Sequence, residues 1–137
     1  SNTTNMSNHN NNNNNIESLG KQTWEALGKL HGESTAPHER SKADQFLSKY
    51  LPNQHNCWHI FAKYLSTENV PHAAHFFAAN MLRSKIQRNL HEVPREHHQG
   101  LHDMIMKALI RFNGKGDQYE NVRTQLSIAL ALLNIQR

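Results

Sequence analysis

Residues 71–90, PHAAHFFAANMLRSKIQRNL, constrain the fold more than any other stretch of this chain. They have the periodicity of a helix of about five turns. Asn69 is placed to cap the first turn, and Pro71 falls where a missing N–H costs nothing. Ala74, Phe77, Ala78, Met81, Leu82, Ile86 and Leu90, with Phe76 at one edge, cover well over half the circumference. A surface helix has a single apolar stripe, so this one needs neighbours on several sides. One narrow polar strip remains: Asn80, Arg83, Ser84 and Gln87, at i, i+3, i+4 and i+7. An inner helix in a stack of helical hairpins has that environment.

The rest of the chain repeats the pattern. Residues 1–15 are Ser, Thr and Asn with a single His and Met, and such a tract is expected to be a disordered tail. In residues 16–31, Ile16, Leu19, Thr23, Ala26, Leu27 and Leu30 share a helical face. Gly32 and the residues up to Pro37 break it. A second helix is expected over 37–51, with Ala43, Phe46, Leu47, Tyr50 and Leu51 inward and Lys42, Gln45 and Lys49 as its polar stripe. A third covers 55–65, with Trp58, Phe61, Ala62 and Leu65 in register. The helix over 71–90 is the fourth. The fifth, over 96–112, is cleanly amphipathic through Leu101, Met104, Ile105, Ala108, Leu109 and Phe112. Gly114 and Gly116 make a turn. Asp117 and Glu120 then read as a capping box for a sixth helix over 118–136 that is apolar nearly all round. Its polar strip is Glu120, Arg123, Ser127 and Asn134.

No stretch reads as a strand. Helices in three pairs give a period of about 40 residues, in the range of HEAT-like repeats. Such repeats cannot bury their faces alone and must stack. The expected fold is therefore all-α, a right-handed α-solenoid of about three hairpins. A closed six-helix bundle is the alternative. The last helix argues against closure, because an apolar-all-round helix needs a cover that the next repeat of a solenoid would supply.

The chemistry-bearing residues point away from catalysis. Fifteen Lys and Arg against eleven Asp and Glu give a net charge of +4 over 137 residues. That is mildly basic, short of the dense loading of a committed nucleic-acid binder. Arg83, Lys85, Arg88 and Arg95 diverge on the helical wheel and read as solvated charge. The single cysteine, Cys57, excludes an intrachain disulfide and fits a reducing compartment. Beside Trp58 it reads as a small buried hydrophobe. His55/His59, His98/His102 and His72/His75 have helical metal-pair spacings, but no third ligand recurs with them. With eleven histidines such spacings arise by chance, and no metal or cofactor is expected. Lys115 between Gly114 and Gly116 lacks the preceding strand and Ser/Thr of a phosphate loop. No apolar run reaches the roughly 18 residues of a membrane span. No nucleophile–base arrangement or carboxylate pair stands in a suitable context.

Several motifs together resemble the N-terminal domain of importin-β-type nuclear transport receptors, the karyopherins. FFAANMLRSKIQ at 76–87 is similar to the family's "yFAAq-x-L-x-x-KI" segment. Arg40, Ala43, Asp44, Leu47 and Tyr50 resemble the helix before it, and Cys57-Trp58-His59-Ile60 its "aW-x-I" start. Glu92-Val93-Pro94 followed by Leu101-His102-Asp103 resembles "ELP…SLRD", and TQLSIALA at 124–131 resembles "TQLalAlA". The nearest branch is transportin-SR and its relative importin-thirteen. The resemblance covers about residues 16–136, which would be an importin N-terminal HEAT-repeat domain within a longer receptor.

The resemblance implies a scaffold, not an enzyme. The first repeats of the family bind the small GTPase Ran in its GTP form through their inner helices, here 37–51, 71–90 and 118–136. On helical phase, the candidate contacts are Lys42, Gln45 and Lys49; Asn80, Arg83, Ser84 and Gln87; and Arg123 and Ser127. Ran-GTP and cargo would bind as reciprocally coupled alternatives. The implied function is import of protein cargo, serine/arginine-rich splicing factors included, by a receptor that shuttles between cytoplasm and nucleus. Cargo and nucleoporins would be engaged through the full-length receptor, with no membrane and no direct nucleic-acid contact. The competing readings are a free-standing helical adaptor for peptides or helices, and a small basic RNA-binding helical domain.

Overall fold

In the computed structural model the backbone is described for residues 2–136 and the side chains from Asn15 to Gln136. Within that range there are helices and connecting turns and no strand. The helices are α1 (Asn2–His31), α2 (Pro37–Gln45), α3 (Cys57–Ser66), α4 (His72–Asn89), α5 (His98–Asn113) and α6 (Glu120–Gln136). They divide into two compact units, Ser1–Ile60 and Phe61–Arg137.

In the first unit, α1 buries Leu19, Thr23, Ala26 and Leu27, the face expected from periodicity. The α1 backbone is helical from Asn2 to His31. The side chains up to residue 14, and Ser1 itself, lie outside the described residues. After Gly32 the chain turns through extended Ala36 into Pro37, whose ring suits the first helical position. Arg40 reaches back to donate to the Gly32 carbonyl at 2.7 Å. That occupies an oxygen beyond the end of α1 and ties α2 to it.

The second helix departs from its expected course. After Gln45 the chain makes a π-helical turn, Phe46–Tyr50, then a 3-10 turn, Leu51–Asn53. A π turn advances less per residue than an α turn, so it shifts the phase of whatever follows. Ala43, Leu47 and Leu51 stay buried, but Tyr50, placed inward by periodicity, is 50 % exposed. Amides close the end: Asn53 Nδ2 donates to the Lys49 carbonyl at 2.9 Å and Gln54 Nε2 to the Tyr50 carbonyl at 3.3 Å. Cys57 is fully buried, as expected for a small hydrophobe.

In the second unit, α4 packs most extensively on α6, and α5 packs on α6 as well. Ala74, Ala78 and Ala79 let the α4 backbone come close, while Leu82 and Ile86 fill the space beyond. From α6 come Val122, Leu126, Ala129 and Leu133, and from α5 Ile105, Ala108 and Phe112. A leucine or isoleucine fully buried in this way contributes about 1.5–3 kcal/mol of transfer free energy. The apolar circumference of α6 is only partly used, since Ile128 and Ile135 are 41 % and 80 % exposed.

Two expected caps are not made. Asn69 does not cap α4; Pro71 is the capping residue, with no side-chain hydrogen bond, and its carbonyl accepts from the N–H groups of Ala74 and His75. The Asp117/Glu120 capping box is likewise absent. Gly116, at φ 83° and ψ −177°, redirects the chain into a 3-10 turn, Asp117–Tyr119, before α6. In that geometry the Gly116 carbonyl receives the Tyr119 N–H at 3.1 Å, so the turn is closed by backbone alone.

Candidate interaction surfaces

The residues singled out for partner contact fall into three environments. Lys42, Gln45 and Lys49 are exposed along α2 and its π turn. They line a shallow depression with Phe46, Tyr50 and Asn53. Neither lysine forms an ion pair in the described structure. The ring of Tyr50 stacks on Phe46, with centroids 5.2 Å apart and planes 26° from parallel. The expected polar stripe is exposed, with an aromatic ring beside it that the expected phase had placed inward.

The strip on α4 differs from the open polar face expected. Arg83 is half-buried, and its guanidinium donates to Gln125 Oε1 on α6 at 2.5 Å, to Gln87 Oε1 at 2.9 Å and to Asn80 Oδ1 at 3.3 Å. Three of the four strip residues are therefore joined in a network fastening α4 to α6. A guanidinium suits this because its donors diverge in one plane. Gln87 stays exposed, and Ser84 is half-buried. Sequence periodicity found these positions without finding their partner, because the Arg83–Gln125 contact spans 42 residues.

Arg123 and Ser127 separate in role. Arg123 donates to the Phe112 carbonyl at 2.9 Å and the Gly116 carbonyl at 3.0 Å. It holds the end of α5 and the following turn against α6. Ser127 is exposed. Of the candidate contacts, Lys42, Gln45, Lys49, Gln87 and Ser127 are exposed, while Arg83 and Arg123 already hold the fold together.

Two buried polar residues on α4 escaped the periodicity. Lys85 is 4 % exposed and pairs with Glu92 at 2.8 Å. His75 is fully buried. Its Nε2 lies 2.8 Å from the Thr67 carbonyl and its Nδ1 3.2 Å from the Tyr119 hydroxyl. A carbonyl only accepts, so Nε2 carries the proton and Nδ1 accepts from Tyr119. The ring meets Phe112 edge-on, at 4.8 Å between centroids. Burial first, and then the charges of Lys115, Arg111 and His72, hold His75 below its ordinary pKa, against the Thr67 carbonyl that favours the charged form. Burial also pushes the Tyr64 hydroxyl up to about 12. The signal for a buried His75 was its place between Ala74 and Ala78 in the apolar sector. Its type argued the other way.

The histidine pairs do not converge on a metal. His75 spends both nitrogens as above, and His98 Nε2 faces the Val93 carbonyl at 2.9 Å. Among the described residues no three His, Cys, Asp or Glu side chains gather where they could hold an ion. No described helix is long and apolar enough to cross a membrane. Compared with known proteins, the chain matches no family model and no curated protein.

Proposed function

We propose that this chain is the N-terminal, Ran-GTP-binding part of an importin-β-type nuclear transport receptor, near the transportin-SR branch. It would be built as a right-handed solenoid of three HEAT-like hairpins, α1–α2, α3–α4 and α5–α6, with α2, α4 and α6 as the inner helices. The observation that carries this reading is the packing of α4 on α6, with α5 also on α6. In a stack of hairpins each inner helix lies beside the inner helix of the next repeat, which is two elements on in sequence. The ordered motifs from Arg40 to Ala131 support the same reading.

The chain acts in this reading as a scaffold without cofactor or catalytic step. Ran-GTP engages the inner helices through Lys42, Gln45 and Lys49 on α2, Gln87 with Asn80 and Ser84 on α4, and Ser127 on α6. Arg83 and Arg123 position those helices and contact the GTPase only at their rims. Cargo and nucleoporins are bound by the whole receptor, which moves between cytoplasm and nucleus. Binding of the GTPase and of cargo are coupled through the curvature of the stack.

The test is a pull-down of Ran loaded with a non-hydrolysable GTP analogue, beside Ran-GDP, on the immobilised chain and its Lys42→Glu/Lys49→Glu variant. Both lysines are exposed and form no ion pair among the described residues, so the variant keeps its fold, which circular dichroism checks. Retention of the GTP form alone, lost in the variant, is expected. Equal retention of both nucleotide forms, or of neither at micromolar Ran, overturns the reading.

A further inference from the structure

The π turn at Phe46–Tyr50 has a consequence beyond the receptor reading, on the same lysine-bearing face that reading gives to the GTPase. π turns are rare and are found frequently at functional sites. This one turns the Tyr50 ring outward. One face of the ring is covered by Phe46, and the residue is nevertheless 50 % exposed, so the other face is open to solvent.

Tyr50 is also a ridge between two depressions of the Ser1–Ile60 unit. On one side, Lys42, Gln45 and Lys49 bound a volume of about 620 Å³. On the other, Ser18, Gln22, His55 and Asn56 bound about 390 Å³. Tyr50 and Gln54 line both. Both volumes fall within the roughly 300–1,000 Å³ of small-ligand pockets. No carboxylate lines either depression. One side is cationic, the other is lined by amides, a hydroxyl, the His55 ring and Leu19, and a flat ring stands between them.

We propose that this surface binds single-stranded nucleic acid. A base stacks on the open face of Tyr50, its edge meets the amides of Gln22 and Asn56, and the flanking phosphates lie on Lys42 and Lys49. Charge complementarity selects a polyanion. The ring and the amide-lined depression select a base over a carboxylate side chain, because a planar heterocycle uses the ring's face and both donors and acceptors of an amide. Duplexes fit poorly, since their bases are already stacked and paired.

The experiment titrates the full chain into a fluorescein-labelled oligouridylate and reads anisotropy, with the same strand annealed to its complement as the duplex control. Saturable binding is expected, tighter for the single strand. Tyr50→Ala weakens it about ten-fold or more, and Tyr50→Trp retains it. Lys49→Ala lowers the slope of log K against log salt by about 0.7, the value for one phosphate contact on a single strand. Circular dichroism confirms that each variant is folded. Equal affinity of wild type and folded Tyr50→Ala, equal binding of duplex, or no saturable binding at high micromolar protein overturns the proposal. Displacement of the oligonucleotide by an equal charge of polyglutamate also overturns it, and identifies an acidic protein segment as the occupant.

Discussion

Acidification should loosen the Phe61–Arg137 unit through His75, and the size of the effect follows from its setting. The neutral ring donates from Nε2 to the Thr67 carbonyl and accepts at Nδ1 from Tyr119. Protonation would place an uncompensated charge at a fully buried site beside Lys115, Arg111 and His72. The native pKa is therefore lowered, while the unfolded chain protonates near the ordinary value of about 6.5. Between those two values the unfolded state binds one more proton than the native state, so stability rises with pH there. It is complete above about pH 6.5 and falls as the pH drops toward the native pKa.

One proton sets a limiting slope of about 1.4 kcal/mol per pH unit. With a urea dependence typical of small domains, the midpoint falls by roughly 0.5–1.4 M per unit. The assay is urea unfolding of the full chain from about pH 7.5 to about pH 5, bracketing the histidine range. It is followed by amide NMR signals of residues 61–137, because both tryptophans, Trp24 and Trp58, lie in the other unit. His75→Gln keeps a donor near Thr67 and removes the titration, so the difference between the wild-type and variant curves isolates this group. Parallel curves across the window, or a His75 ring titrating at or above its ordinary pKa, would refute the argument.

Two further outcomes are expected. Gly116→Ala should lower stability by about 1–3 kcal/mol, because its backbone lies in a region open essentially only to glycine. An added Cβ there meets nothing within 4 Å, so no steric term adds to the strain, and an unchanged urea midpoint would refute this. Arg83→Ala should cost about 1 kcal/mol by removing the bridge from α4 to α6, and Arg83→Lys should restore little, since an ammonium cannot serve three divergent amide oxygens. Full rescue by lysine in urea unfolding would show that charge, not geometry, holds the pair.

Helix placement was legible because it rests on local signals. Pro37 opens α2, Gly32 closes α1, and of the apolar positions expected on α1 and α5, Leu19, Thr23, Ala26, Leu27, Ile105, Ala108 and Phe112 are buried while Ile16, Leu30, Leu101, Met104 and Leu109 are half-buried. The candidate surface was partly legible: Lys42, Gln45, Lys49 and Ser127 are exposed as helical phase predicts. The side chain beside those lysines was placed wrongly, since a regular α-helix carried through 46–50 turns Tyr50 inward, and only the π turn brings it out. Helical phase read Lys85 as solvated charge and left His75 as one of a chance histidine pair, yet each is buried against a partner: Lys85 on Glu92, His75 on Tyr119.

That this chain is helical, where most helices begin and end, and which of their faces are apolar can all be read along the chain. Those properties depend on residues within a few turns of one another, where spacing and capping are readable. That Arg83 braces α4 to α6, that His75 is bound between Thr67 and Tyr119, and that Tyr50 faces outward follows from packing alone. The first two depend on groups 8 to 44 residues apart in the chain, brought together by packing. The third depends on a single wider turn, whose cost is met by Leu47 and Leu51 remaining buried on either side of it.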